Sequence, residues 1–213
     1  MPRVGVCDYG VGNLRSVERA LRVAGAEPVI SSDPSVIVTC DGVVLPGVGA
    51  FSTAAQTLRD TGLGAAVLEL ARLDRPVLGI CLGHQLLFES SDEGHGGEGL
   101  ALLRGRVVKL SPEPGLKVPH MGWNTIATAR ASTLLDGVPS DSYMYFVHSY
   151  AAVPDPQDTV AVTEYGDRLT AAVERGSIMG TQFHPEKSGA TGLRIYANFV
   201  SMCAVSVPAQ RAG

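Results

Sequence analysis

Cys81 lies between two glycines in Gly79-Ile80-Cys81-Leu82-Gly83-His84-Gln85. Before it runs Arg75-Pro76-Val77-Leu78, apolar and partly β-branched, and after it Leu86-Leu87-Phe88-Glu89, apolar with helical propensity. The stretch reads as strand, sharp turn and helix, with the cysteine at the turn. Flanking glycines relieve the crowding of a turn that holds one side chain in strained geometry. A cysteine at a helix N-terminus has a lowered pKa, because the dipole and free N–H groups favour the thiolate. The alternative is a buried cysteine packing as a small hydrophobe. A base is supplied far downstream by Thr181-Gln182-Phe183-His184-Pro185-Glu186. Pro185 cannot donate to a ladder and ends the strand there. The turn it makes lets Glu186 converge on His184. Thiol, imidazole and an orienting carboxylate are the parts of nucleophilic acyl transfer. Taken alone, His184 is also readable as a surface-loop histidine.

The elements that must position these groups alternate. Arg3–Asp8 reads as a strand, Asp8–Asn13 as a glycine-containing turn, and Leu14, Val17, Leu21 and Ala24 recur at helical spacing behind Asn13 as N-cap. Gly25 ends that helix. Pro28–Ser31 is a strand, Ser31–Pro34 a loop and Asp41–Leu45 a buried strand running into Pro46-Gly47-Val48-Gly49. Helices near Ser52–Arg59 and Leu63–Leu73 precede the Pro76–Ile80 strand. Such alternation predicts a three-layer α/β fold, its central sheet mostly parallel with helices on both faces. Functional loops then lie at the carboxyl ends of the strands, here 8–13, 46–51 and 81–85. After a glycine-rich loop at Gly94–Gly99, short β-like runs at Val107–Leu110, Asn124–Ala127, Met144–Val147, Thr159–Thr163 and Thr170–Val173 predict an antiparallel or mixed extension of the sheet. Ile178–Phe183 is the last core strand. A C-terminal helix carrying Leu193, Tyr196, Ala197, Val200 and Ala204 follows a break at Ser188–Gly192.

The 213 residues suit one domain, expected over 1–204 with a frayed tail at 205–213. Apolar residues make up 45% and charged residues 18%, enough for a large core. A net charge of −4 gives no broad basic surface for nucleic acid or anionic membrane. The four cysteines form no close pair, so neither a disulfide framework nor a thiolate zinc site is indicated, and a reducing cytoplasm is the expected compartment. No signal peptide or membrane-spanning run is read. The five histidines have no metal-ligand spacing, there is no P-loop, and Gly10-Val11-Gly12 lacks the third glycine of a dinucleotide fingerprint. No metal or other cofactor is expected.

Gly-Ile-Cys81-Leu-Gly-His-Gln together with Gln-Phe-His184-Pro-Glu186 resembles the class I glutamine amidotransferases. Within that class, Asp8–Ser16, Leu45–Phe51, Pro119–Asn124, Phe146–Tyr150 and Pro185–Ser188 are similar to the family of glutaminase subunits of imidazole glycerol phosphate synthase. The resemblance covers essentially the whole chain. It implies that Cys81 attacks the glutamine amide, that His184 protonates the departing ammonia and then activates water, and that Glu186 orients His184. It also implies an oxyanion hole from Leu82 and the loop of Gly47, Val48 and Gly49, and glutamine contacts from Gln85, Glu93, Ser149 and Tyr150. Gln85 lies one helical turn beyond the cysteine. Glu93 is placed to pair with the substrate's α-ammonium. His84, facing away from Cys81 on a regular helix, is read as structural and His95 as solvated, while His120 and His148 have no derivable role.

The resemblance further implies a heterodimer. Its partner is a (β/α)₈-barrel cyclase subunit that receives the ammonia and makes imidazole glycerol phosphate and the purine precursor AICAR in histidine biosynthesis. Asn13, Trp123 and Lys187 match interface positions; taken alone they are a helix cap, an aromatic of unknown exposure and a surface lysine. The other readings are a glutaminase subunit serving another synthase, such as the one making pyridoxal phosphate, a cysteine peptidase on a similar sheet, and a non-enzymatic binding module.

Overall fold

The computed structural model describes residues 1–111 and 115–205. In chain order the elements are β1 (Arg3–Cys7), α1 (Leu14–Val23), β2 (Glu27–Ser31), α2 (Pro34–Ile37), β3 (Gly42–Gly47), α3 (Phe51–Thr61), α4 (Leu63–Arg72), β4 (Val77–Cys81) and α5 (Leu82–Gln85). They continue with β5 (Ser90–Ser91), β6 (Gly97–Glu98), β7 (Gly105–Lys109), β8 (His120–Thr128), β9 (Ser142–His148), β10 (Tyr150–Pro154), β11 (Thr159–Tyr165), β12 (Asp167–Arg175), β13 (Ile178–Thr181) and α6 (Gly189–Val205).

Nine strands form one sheet in the order β2-β1-β3-β4-β13-β12-β11-β8-β9. From β2 to β13 the pairings are parallel, and from β13 to β9 antiparallel. The sheet is therefore mixed, its antiparallel wing as long as its parallel half. The central parallel strands β3, β4 and β13 are buried throughout, as strands covered on both faces must be, and the edge strand β2 is only partly covered. One core packs Val17 and Leu21 of α1 with Ile195, Tyr196 and Phe199 of α6; the other packs Leu58 of α3 with Val67 and Leu70 of α4. These two cores give the three layers. The Val107–Leu110 run, expected in the extension of the main sheet, instead forms β7 in a second, four-stranded sheet of order β10-β7-β5-β6, because its partner β10 lies far along the chain.

Two local expectations are corrected, and one short helix was not read. That helix, α2, follows the expected Ser31–Pro34 loop, because Asp33 accepts the Ser35 N–H at 2.8 Å as N-cap and Pro34 presets the first turn. The helix after Cys81 is a single turn. Leu86, Leu87 and Phe88 leave it because their carbonyls accept from Leu100, Leu103 and Ala101, which buries all three side chains. The C-terminal helix begins at Gly189, inside the expected break. Asn13 caps α1 as expected, accepting from Ser16 N–H at 3.4 Å. The tail expected to fray lies, beyond Val205, outside the described residues. No helix among the described residues is long and apolar enough to cross a membrane.

Candidate active site

Cys81 is the last residue of β4 and the N-cap of α5. Its backbone has φ 55° and ψ −107°, a conformation that a non-glycine residue holds only when its surroundings impose it. The glycines make that possible. A Cβ on Gly83 would drive into the Leu45 carbonyl, and one on Gly79 would meet the Gly83 carbonyl. The chain thus turns back against β3 with no room for side chains on either flank. Burial leaves Cys81 6% exposed, with Sγ 3.7 Å from the Val147 carbonyl.

His184 follows the end of β13, whose parallel partner is β4, so His184 and Cys81 emerge from adjacent strands at the same sheet edge. Its backbone N–H donates to the Tyr145 carbonyl at 2.9 Å, and its carbonyl accepts from Ser188 Oγ at 2.7 Å. The ring is buried, and Nδ1 lies 2.8 Å from Glu186 Oε1. Burial works against the charged ring, but the Cys81 sulfur and the Glu186 carboxylate outweigh it and raise the His184 pKa to about 9. Nε2 is buried with no hydrogen-bond partner of good geometry, and the nearby Cys81 sulfur favours the protonated ring. At neutral pH His184 therefore holds a proton that it can give to a leaving group.

A cavity of about 310 Å³ opens on the cysteine. Val48, Gly49, Cys81, Leu82, Gln85, Glu93, Pro119 and the Val147–Tyr150 segment line it. Its size is at the small end for ligand sites, which run from roughly 300 to 1,000 Å³. A wider cleft of about 1030 Å³ lies at the amino ends of β4 and β13, along Pro76, Glu174, Ser177 and Arg194; no cysteine lines it, so its size does not make it the reaction site.

The structure brings ten of the residues named from sequence together and sets others apart. Gly47 does not line the cavity. It pairs with Cys81 across β3 and β4, and a Cβ there would come 2.5 Å from Tyr9 Oη. Glu93 lines the cavity, but Oε2 already accepts the Phe51 N–H at 2.7 Å, holding the first turn of α3. A carboxylate at that position is favoured by the exposed N–H groups and the helix dipole. Asn13, Trp123 and Lys187 are outside the cavity. Trp123 is 57% exposed, edge-on to Tyr145, and Lys187 Nζ lies 5.4 Å from the centroid of the same Tyr145 ring. Met121 and Tyr143, 62% and 64% exposed, extend this face.

Two further residues escaped the sequence reading. Gln182 is fully buried, with Nε2 3.9 Å from Cys81 Sγ and Oε1 accepting from Gln85 Nε2 at 3.1 Å. Its signal was a polar residue two before the base, on the same side of an extended strand. Tyr9 donates its buried hydroxyl to the Pro46 carbonyl at 2.5 Å and so ties the loop after β1 to the loop after β3. No local pattern marks that contact. His84 is buried with neither ring nitrogen hydrogen-bonded and packs edge-on against Phe88, so burial lowers its pKa to about 3. Among the described residues no cluster of histidine, cysteine and carboxylate is arranged to hold a metal ion.

Known proteins match this chain over nearly its whole length. The chain is 50% identical over 205 residues to the imidazole glycerol phosphate synthase subunit HisH of Methanosarcina mazei, covering 95% of this chain and 100% of that one. It is 49% identical to the HisH subunit of Synechococcus sp. (strain JA-3-3Ab), covering 97% of each. Among solved structures, PurLQS from Thermotoga maritima matches with a TM-score of 0.71 at 19% identity, over 94% of this chain and 98% of that one. A structure described as a glutamine amidotransferase matches with a TM-score of 0.73, also at 19% identity and the same coverage. At that identity the structural matches speak to fold alone. The sequence model for glutamine amidotransferase class-I matches residues 5–203, and the chain belongs to that family.

Proposed function

We propose that this chain is the glutaminase subunit of an imidazole glycerol phosphate synthase, with residues 1–204 acting as one glutaminase domain. The observation that carries the reading is one cavity: Cys81 opens into it beside Gln85, Glu93, Ser149 and Tyr150, with the His184–Glu186 pair behind the cysteine. The Cys81 sulfur attacks the side-chain amide carbon of glutamine. His184 gives its proton to the amide nitrogen, the C–N bond breaks, and ammonia leaves a thioester on Cys81. His184, now neutral, takes a proton from water, which attacks the thioester and releases glutamate with the sulfur restored. N–H groups of Leu82 and of the Val48–Gly49 loop stabilise the oxyanion; one such donor is worth roughly 3 kcal/mol in other enzymes. Gly47 serves that loop by its close packing on Tyr9 and Leu82.

Ammonia released to bulk water would be protonated and lost, so a cyclase subunit with a (β/α)₈ barrel docks over the exposed face of Met121, Trp123 and Tyr143, with Asn13 and Lys187 at its margin. There the ammonia enters imidazole glycerol phosphate and AICAR formation in the cytoplasm. In the reconstituted pair, Cys81→Ala abolishes glutamine-dependent synthesis while synthesis from added ammonium salt persists. Equal loss of both activities overturns the reading.

A further inference from the structure

Two histidines that the mechanism does not use, His120 and His148, face each other across β8 and β9, where they are paired in register. His120 Nδ1 lies 2.9 Å from His148 Nε2. His148 Nδ1 lies 2.9 Å from the Tyr150 carbonyl, and Asn124 Nδ2 lies 3.2 Å from His120 Nε2.

The proton positions follow from the backbone at both ends. A carbonyl only accepts, so His148 carries its proton on Nδ1 and, as a neutral ring, offers a lone pair at Nε2. His120 must then donate from Nδ1 and accept at Nε2. Asn124 supplies that donor, because its amide orientation is fixed: Oδ1 accepts the Thr125 N–H at 2.8 Å, and Nδ2 also donates to the Glu164 carbonyl at 2.9 Å. A charged ring at either position would place two donors face to face somewhere in the chain. His120 is also clamped between the stacked rings of Phe146 at 4.7 Å and Tyr165 at 4.0 Å. Burial favours the neutral form of both histidines, lowering each pKa to about 4.

The chain of hydrogen bonds ends in the glutamine cavity. The Tyr150 carbonyl that accepts from His148 also accepts from Gln85 Nε2 at 2.9 Å. Gln85 in turn meets Gln182, whose amide reaches Cys81 Sγ. We propose that His120 and His148 are positioning residues: their single proton arrangement fixes the Tyr150 carbonyl and Gln85, and thereby sets the affinity for glutamine rather than the rate of the chemical step. This rests on the glutaminase reading. It adds that an inner network on β8 and β9 reaches the substrate pocket from behind the strands whose outer face carries Trp123 and Tyr143.

The test has two arms. Imidazole ¹⁵N NMR of the full-length protein at neutral pH should show both rings as the Nδ1–H tautomer; an Nε2–H tautomer or an imidazolium at either position overturns the proposal. In glutaminase assays of the full-length chain with its synthase partner, His120→Leu should raise the KM for glutamine about tenfold, the scale of one lost buried hydrogen bond, with kcat nearly unchanged. His120→Asn keeps an amide donor near the Nδ1 position and should recover most of that loss. Equal KM in the two variants and the wild type, or a fall in kcat alone, overturns it. Absence of glutamine hydrolysis by the wild-type complex would instead overturn the glutaminase reading, and the tautomer result would stand separately.

Discussion

Glu186 Oε1 lies 2.8 Å from His184 Nδ1, although only Pro185 separates the two residues in the chain. The short 3₁₀ turn Pro185–Lys187 folds the carboxylate back onto the ring, and both side chains are almost fully buried. With a carboxylate on Nδ1, the Nε2 proton is the one available to the reaction. Glu186→Gln should lower kcat roughly 10²–10⁴-fold, the span that positioned acid–base groups contribute, with glutamine KM little changed. Steady-state kinetics of the partnered enzyme check this; a loss confined to KM would contradict it.

The same pair gives a stability signature with a defined sign. The His184 pKa is raised in the fold to about 9, so its proton stabilises the fold fully below the ordinary value near 6.5, and that contribution is lost as pH rises toward 9. His84, His120 and His148 act in the opposite sense. Burial lowers their pKa values to about 3, 4 and 4, so their contribution is present above about 6.5 and lost as pH falls toward 4. Urea unfolding from pH 4 to 9 should show stability falling on both sides of neutrality. The alkaline fall should be shallower in Glu186→Gln; an identical alkaline limb in the two proteins would contradict the assignment.

Gly83 is the tightest point of the nucleophile turn, with no space between its α-carbon and the Leu45 carbonyl. Gly83→Ala has to displace β3 or unwind the turn, and the clash is with backbone rather than with a flexible side chain. The expected destabilisation is about 3 kcal/mol, at the upper end for overpacked sites, with glutaminase activity lost in parallel. Gly10→Ala serves as the comparison, since a Cβ there meets nothing within 4 Å and only its positive φ of 84° opposes the change. Chemical denaturation distinguishes the two; equal effects would mean that packing at Gly83 is not the constraint.

Glu93 has two claims on one carboxylate, the Phe51 N–H and the cavity. Removal of a helix-terminal acceptor costs about 1 kcal/mol. Glu93→Ala should therefore lower stability by about that amount and also raise glutamine KM, because α3 begins directly after the Val48–Gly49–Ala50 segment. A change in KM with unaltered unfolding would mean that the carboxylate serves the substrate alone.

Trp123 is exposed and packs only edge-on against Tyr145. Trp123→Ala should leave the unfolding free energy within about 0.5 kcal/mol, as surface changes usually do. Binding to the cyclase subunit should weaken by about 2 kcal/mol or more, the mark of an aromatic anchor. Calorimetric titration measures it, and unchanged affinity would move the interface elsewhere.

Much of this architecture was legible in the chain. Alternating strands and helices, read from hydrophobic period and turn residues, gave the parallel half, because each βα unit is a local pattern. Cys81, His184 and Glu186 were legible because a strained turn and a proline-bounded strand end leave glycine and proline marks beside them. The second sheet was not, since β7 pairs with β10 far along the chain and neither strand announces its partner.

The sequence by itself singled out Cys81, and His184 with Glu186, as candidate nucleophile and base with orienter, because these marks depend on residue type and short-range backbone constraint. Tertiary structure alone decided what the other polar groups do. Glu93, read as a substrate contact, lines the cavity and also holds Phe51, Trp123 could have been core and is exposed, and Gln182 and the His120–His148 pair gained partners only when distant strands met. A hydrogen bond needs its partner within about 3 Å, and residue spacing along a chain does not specify which side chain from another strand will arrive there.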